Sequence, residues 1–361
     1  MENGNGFSAP RRVLLVGLGR AGQRFKRALD YIQSSTPSLL VLAGIVDADP
    51  RRAFAHAPDV PAFTEVDEAV NAALPDAAIV CVSEESHFDV LRALAVSPVK
   101  VILCEKPLTA TLRQAEQLEE VLRGKRLSLN MVERFSPVVP ACMRWLAERP
   151  DLTVRRVEFF WGKHRIKDAR PTIGVCSEVI HPLDLVRLIF PQTLTLQAAF
   201  GVESDLHVTA APVLDSVFVM YQGRTCPVVG QSSFAWPGRD RRVVAYVAGK
   251  TDLFRITLEF DHPSWDCDRL EIHAIDETTG IYQAVFKLET STANFPAELR
   301  HVYKVGQFLR HSLGASNGEP LEVPLVDYEE ALSLQRVIEQ LETETKRSPA
   351  RFRASETGHV S

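Results

Sequence analysis

The stretch Arg12-Val13-Leu14-Leu15-Val16-Gly17-Leu18-Gly19-Arg20-Ala21-Gly22 decides how this chain begins to fold. A short apolar run, Val13 to Val16, passes directly into glycines spaced Gly-x-Gly-x-x-Gly. Behind them Phe25, Ala28, Leu29 and Ile32 recur at helical spacing. Glycine clusters alone mark turns. A strand before and a helix after make this cluster the loop of a dinucleotide-binding unit. Gly17 permits the tight turn, Gly19 lets backbone approach a pyrophosphate, and Gly22 lets helix and strand pack closely. Arg20 and Ala21 open the helix, whose free N–H donors and positive dipole end suit an anion.

A second apolar run, Leu39 to Val46, ends at Asp47. An acid there can accept both hydroxyls of an adenosine ribose and would repel a 2′-phosphate, so NAD is expected, with NADP the alternative. Asp49 before Pro50 fits a helix cap, which leaves Asp47 for the ribose. Arg51 and Arg52 lie close enough to serve a 2′-phosphate instead. A third run, Val101-Ile102-Leu103-Cys104, stops abruptly at Glu105-Lys106-Pro107. It reads as a buried parallel strand. The C-terminal end of such a strand is where ligands bind in an open α/β sheet, although Lys-Pro after a strand also serves as a plain loop boundary.

Strands are expected near 13–16, 39–46, 78–82, 100–104 and 126–131, with helices between them. One such helix carries Leu112, Ala115, Leu118, Val121 and Leu122 on one face after Thr109. This is the rhythm of a doubly wound parallel sheet. After Pro137 it changes. A helix over about 138–148 precedes a strand, Thr153 to Trp161, and another helix over roughly His181 to Ile189. From Thr193 to Lys287 strand-like runs follow one another, which fits an open, mainly antiparallel sheet with helices on one face. Two helices close the chain, Glu298 to Leu313 and Tyr328 to Thr345. The expected class is therefore α/β: an N-terminal Rossmann domain over 1–135, then an α+β domain over 136–361 for substrate binding and oligomerisation.

The 361 residues are 45% hydrophobic and 24% charged, with net charge −5. Those are the proportions of an ordinary globular protein and give no sign of nucleic-acid or membrane-surface partners. No apolar run reaches a membrane span. The opening residues lack the basic-then-apolar order of a signal peptide, so a cytoplasmic location is expected. The six cysteines are scattered, and neither a zinc site nor a disulfide framework is indicated. The broad face of an open sheet predicts a homodimer or homotetramer.

Four features in order make the chain resemble the glucose–fructose oxidoreductase/inositol dehydrogenase (Gfo/Idh/MocA) family. They are the Gly17-x-Gly19-x-x-Gly22 loop, Glu105-Lys106-Pro107, Glu133-Arg134-Phe135-Ser136-Pro137, and His181-Pro182-Leu183-Asp184 opening a helix. The closing helices with Gly318-Glu319-Pro320 between them are also similar to the family's layout. The resemblance implies a nicotinamide dehydrogenase with its site between two domains. It implies Lys106 near the reacting oxygen, His181 as proton donor or acceptor, and Asp184 behind it. Ser83 and His87 take the place of residues that flank the cofactor, with Glu105 beside them. Two departures stand out. The family's aspartate four residues before the histidine is Ser177 here, and the neighbouring Glu178 would point about 100° away on a helix. The usual Thr-Pro after the third strand is Val82-Ser83.

Oxidising an alcohol needs a base near the hydroxyl, and the reverse needs an acid for the developing alkoxide. Lys106 suits electrostatic stabilisation, while His181 titrates near neutrality and suits proton transfer. Structural alternatives stand beside these roles. His181 could cap a helix start, and Asp184 could orient His181 or only favour a first-turn dipole. Arg134 and the run Lys163-His164-Arg165, with Lys167 and Arg170, suggest an anionic substrate or else a solvated loop. The function expected is NAD(P)-dependent oxidoreduction of a sugar, cyclitol or related small metabolite. The alternatives are imine reduction and a non-catalytic cofactor sensor.

Overall fold

The structure is a computed structural model and describes residues 10–165, 174–204, 213–314, 322–347 and 349–351. Lys167, Arg170 and Gly318-Glu319-Pro320 lie outside the described residues. The chain divides into two compact units that do not follow its linear order. One comprises residues 1–135 and 295–335, the other 136–294 and 336–361.

In the first unit the elements are β1 (Arg11–Val16), α1 (Arg20–Ser35), β2 (Leu40–Val46), α2 (Pro50–His56), β3 (Ala62–Phe63), α3 (Val66–Ala73), β4 (Ala77–Val80), α4 (His87–Val96), β5 (Val101–Glu105), α5 (Leu112–Val121) and β6 (Arg126–Asn130). The strands form a parallel sheet in the order β3-β2-β1-β4-β5-β6. The five strands read from the apolar runs all form. Only the two-residue β3, too short to show periodicity, was not expected. Val13 to Val16 are buried, and α1 buries Phe25, Ala28, Leu29 and Ile32 as their spacing predicts. In α5 the predicted stripe is narrower. Ala115 and Leu118 are buried with Leu122 behind them, whereas Val121 is exposed. The strand order reverses between β1 and β4, which is where a doubly wound sheet opens its binding crevice.

The second unit contains α6 (Val138–Ala147), β7 (Thr153–His164), α7 (Cys176–Ile189), β8 (Leu194–Ser204), β9 (Val213–Gly223), β10 (Pro227–Ser233), β11 (Ala235–Ala248), β12 (Leu253–Glu259), β13 (Arg269–Ile275) and β14 (Tyr282–Glu289). The chain then returns to the first unit through α8 (Tyr303–Ser312), and α9 (Tyr328–Arg347) and β15 (Pro349–Arg351) end the described chain. The sheet runs β14-β13-β12-β11-β7-β10-β9-β8-β15. Its pairings are antiparallel except β7 with β10 and β8 with β15. Alternation on β7 buries Val157, Phe159 and Trp161 on the face that α7 covers. On the outward face Phe200, Phe218 and Met220 are exposed.

Two helix starts differ from expectation. The helix expected from Glu298 begins at Tyr303, after a short 3₁₀ turn over Ala297–Leu299, although Val302, Val305 and Leu309 are buried as predicted. Its Phe308 packs on Phe25 and Phe135, at ring distances of 6.3 and 5.6 Å, which holds this late segment in the first unit. The helix expected from His181 begins at Cys176. Twelve of its fourteen residues are buried, so no polar face marks its start. Pro182, whose type suggests a first helical position, sits inside it. Among the described residues no helix is long and apolar enough to cross a membrane, and no cluster of His, Cys, Asp or Glu could hold a metal.

Candidate active site

The first unit gathers its candidate residues at the C-terminal ends of parallel strands. After β1, Gly17 takes φ +93°, and a Cβ there would lie 2.7 Å from the Val82 amide nitrogen. A Cβ on Gly22 would lie 2.0 Å from the Gly17 carbonyl oxygen. Both glycines are thus required by the fold. Gly19 is different. Its φ of −68° and ψ of −164° suit any residue, and a Cβ there would meet nothing within 4 Å. It is the N-cap of the 16-residue α1, with no side chain capping the helix and no acid in the first turn. The free donors of that turn, with exposed Arg20 and half-buried Ala21, leave an open cradle that fits a pyrophosphate.

Asp47 ends β2 and is buried. Its Oδ2 accepts from the Leu18 amide at 2.7 Å and its Oδ1 from the Asp49 amide at 2.9 Å, so the carboxylate braces the glycine loop. Oδ2 keeps a further lone pair for a ribose hydroxyl, while Oδ1 also faces Arg52. Asp49 caps α2 through the Arg51 amide, with Pro50 in the first turn, as the sequence suggested. The neighbouring cations are both engaged by acids, Arg51 with Asp49 at 2.8 Å and Arg52 with Asp47 at 3.5 Å.

After β5, Glu105 Oε1 accepts from Asn130 Nδ2 at 3.0 Å, and its Oε2 accepts from the Lys106 amide at 3.3 Å. Glu105 and Asn130 are register partners on β5 and β6, so the sheet itself aligns this contact. Lys106 is half-buried, just beyond the strand end. Ser83 is exposed at the start of a 3₁₀ turn, its Oγ 3.4 Å from that of Ser86.

His87 and Arg134, expected at ligands, are occupied by the protein itself. His87 is buried, with Nδ1 2.8 Å from the Pro107 carbonyl and Nε2 3.2 Å from that of Val82. It therefore clips the β4 and β5 loops together, and burial holds its imidazole below the ordinary pKa. Arg134 is buried, donating to the Pro324 carbonyl at 3.0 Å and lying 3.5 Å from Glu330. An arginine this deeply buried needs such partners.

In the second unit, α7 carries His181 and Asp184 well inside the helix, both buried. This excludes His181 as a helix-start cap and Asp184 as a first-turn dipole partner. The Trp161 indole stacks on the His181 ring, with centroids 5.8 Å apart and planes 18° from parallel. Ser177 Oγ donates to the Gly174 carbonyl at 3.1 Å. Glu178 turns elsewhere, to Lys163 Nζ at 2.7 Å and Arg241 at 3.8 Å. Lys163 is thus no spare positive charge. Arg241 also pairs with buried Asp261 at 2.8 Å, and its guanidinium lies over Trp161, 5.0 Å from the ring centre. Sequence reasoning missed Asn130, Trp161, Arg241 and Asp261. Only the strand-end position of Asn130 and the alternation ending at Trp161 carried any local signal.

Residues 11–132 match the model of the Gfo/Idh/MocA oxidoreductase family, described as an NAD-binding Rossmann fold. The stretch from β1 to the end of β6 is thus similar to the nucleotide-binding part of the Gfo/Idh/MocA oxidoreductases. An inositol 2-dehydrogenase of Corynebacterium glutamicum is 35% identical over 197 residues, covering 50% of this chain and 54% of that relative. The chain thus spans about half the length of the curated relatives it matches. Among solved structures, UDP-N-acetylglucosamine 3-dehydrogenase from Acidithiobacillus ferrooxidans superposes with a TM-score of 0.70 at 18% identity, over 94% of this chain and 99% of that one. The transcriptional regulator Gal80p from Kluyveromyces lactis gives 0.72 at 14% identity, over 94% and 90%. These two likenesses show that the chain shares their fold over nearly its whole length and no more, because fold does not carry function.

Proposed function

We propose that this family member is an NAD-dependent dehydrogenase or reductase acting on a hydroxyl or keto carbon of a sugar, cyclitol or related polyol. The observation that carries the reading is the open Gly19 cradle at the start of α1, braced by Asp47 and lying in the same sheet as the Glu105–Lys106 strand end. The cyclitol is favoured by the likeness to an inositol 2-dehydrogenase. The bound nicotinamide supplies the hydride acceptor or donor. Gly17, Gly19, Arg20, Ala21 and Gly22 would hold the pyrophosphate and Asp47 the ribose, favouring NAD over NADP, with Ser83 and Glu105 serving the nicotinamide end. Lys106 stabilises the alkoxide oxygen through its ammonium charge. His181 takes the hydroxyl proton on oxidation and returns it on reduction, with Asp184, one turn along α7, orienting it.

Residues 1–135 are assigned to cofactor binding and 136–361 to substrate binding and association. A second copy of the chain is the proposed cover for exposed Phe200, Phe218 and Met220. Six free thiols support a reducing compartment.

The likeness to Gal80p supports a second reading, a regulator that binds cofactor without turnover. Lys106 and His181 favour the enzyme, because a sensor needs no acid/base pair. A screen of polyols and keto sugars, following NADH and NADPH absorbance, separates the two. Tight NADH binding with no turnover across both classes would remove the dehydrogenase reading.

A further inference from the structure

The opposite edge of the first unit's sheet, where the strands begin, carries a concentration of positive charge that the proposed function does not use. A cavity of about 580 Å³ opens there, lined by Arg11, Asp76, Lys100 and Gly314 among others. Arg12, Lys125 and Arg126 belong to the same edge. Three of these five cations have an evident structural purpose, because they hold carbonyl oxygens at chain turns and helix ends. Arg12 Nε donates to the Ala73 carbonyl at 2.8 Å, and Lys125 Nζ to those of Ser97 and Val99 at 2.5 and 2.7 Å. Arg126 donates to Ser312 at 2.5 Å. Cations in such places complement helix C-terminal dipoles.

Arg11 and Lys100 are left over. Arg11 Nη1 is buried and has no hydrogen-bond partner among the described residues, although it lies where a Gly314 Cβ would be only 3.9 Å away. A buried guanidinium N–H without an acceptor is unfavourable, because its lost hydration is not replaced. Among the described residues the one carboxylate lining the cavity, Asp76, accepts the Arg12 amide at 2.8 Å. Like charges are also brought together, since burial and the charge of Arg11 both hold the Arg126 guanidinium below its ordinary pKa. An oxyanion in the cavity would answer all three features at once. It would accept from Arg11 Nη1, pair with Lys100, and relieve the repulsion between the guanidinium groups.

We propose that this cavity is a binding site for a phosphate group, held by Arg11 and Lys100 and separate from the glycine loop. Phosphate chemistry is favoured over a carboxylate because two full positive charges line the same cavity. The group could arrive as inorganic phosphate or on a phosphorylated metabolite.

Calorimetric titration of the full chain with inorganic phosphate, at ionic strength balanced with potassium chloride, tests this. The expected result is one phosphate per chain, bound equally well with and without saturating NADH. Arg11→Gln and Lys100→Gln should each weaken it by about tenfold or more, the effect of losing one charge-assisted bond. The double variant should abolish it. Lys100 is exposed, so its variant keeps the test decisive if Arg11→Gln fails to fold. A parallel titration with glycerol phosphate identifies the source: tighter binding points to a metabolite, weaker binding to inorganic phosphate. Heat no larger than the chloride control overturns the proposal. So does binding that survives in the double variant or is competed away by NADH, because either places the phosphate elsewhere.

Discussion

Gly19 separates what the fold needs from what the cofactor needs, and Gly19→Val makes the separation measurable. In the protein alone a side chain at residue 19 enters open space in an ordinary backbone conformation. Valine is a poorer N-cap than glycine, while it reduces the freedom of the unfolded chain. The two effects oppose each other, leaving a net change within about 1 kcal/mol. For a unit of this size the melting temperature should then move by no more than roughly 4 °C. A pyrophosphate on α1 would meanwhile lose its approach to the first-turn amides. Loss of two hydrogen bonds to charged oxygens, at about 1.5–3 kcal/mol each, corresponds to a fall in NADH affinity on the order of 10²–10⁴. Gly22→Ala provides the contrast. Its Cβ would collide with the Gly17 carbonyl, so it should cost about 1–3 kcal/mol of stability or more before any cofactor is added. Cofactor-fluorescence titration and thermal melting of both variants are the assays. Wild-type NADH affinity in Gly19→Val, or a melt as depressed as that of Gly22→Ala, would refute the reasoning.

Lys106→Ala should lower turnover on the true substrate by about 10²–10³ and His181→Ala by about 10²–10⁴, both with unchanged NADH affinity; near-normal steady-state rates in either variant remove that residue from the chemistry. NADH should bind more tightly than NADPH, and Asp47→Ala should narrow the gap; a native preference for NADPH in competitive titrations contradicts the ribose role of Asp47. His87, with its pKa held by burial below the ordinary histidine value of about 6.5, binds its proton less readily in the folded state. Its contribution to stability is therefore present above about pH 6.5, falls as the pH drops through that value, and levels off below the folded-state pKa. Urea midpoints at about pH 7.5 and 5.5 should show this fall in the native chain and a smaller one in His87→Gln; equal falls would show that His87 is not the group responsible. Phe218→Glu should favour monomers over dimers or tetramers in light scattering, whereas an unchanged mass, or a native chain already monomeric, counts against association through this face.

Most of the first unit was legible because its signals are contiguous. The run Val13 to Val16 and the glycines after it sit side by side, and each later strand except the two-residue β3 announces itself by an apolar run with polar ends. Asp47 and Glu105-Lys106-Pro107 were found because an end of a buried strand is a definite place in an open sheet. The C-terminal layout was legible at the level of strands and less so in its helices. Nearly uniform burial erased the start of α7, and the return of α8 to the first unit depends on contacts such as Phe308 with Phe25, which no local pattern contains.

The candidate site was least legible where a charge finds its partner far along the chain. Arg134 and Lys163 looked like a surplus of positive charge when read in sequence. Folding sets Glu330 against the first and Glu178 against the second, so the case for an anionic substrate loses the residues on which it chiefly stood. The same contacts bear on the missing aspartate at Ser177. Glu178 does not replace it, because Lys163 and Arg241 draw its carboxylate to themselves, and buried Asp261 in turn holds Arg241. The indole of Trp161 stacks on the His181 ring, and Asp184 lies three residues further along the same helix. On the proposed mechanism, the stacked indole constrains the orientation of the His181 ring more than its charge. On the proposed mechanism, changes at Trp161 should therefore act mainly on the turnover step and little on NADH affinity.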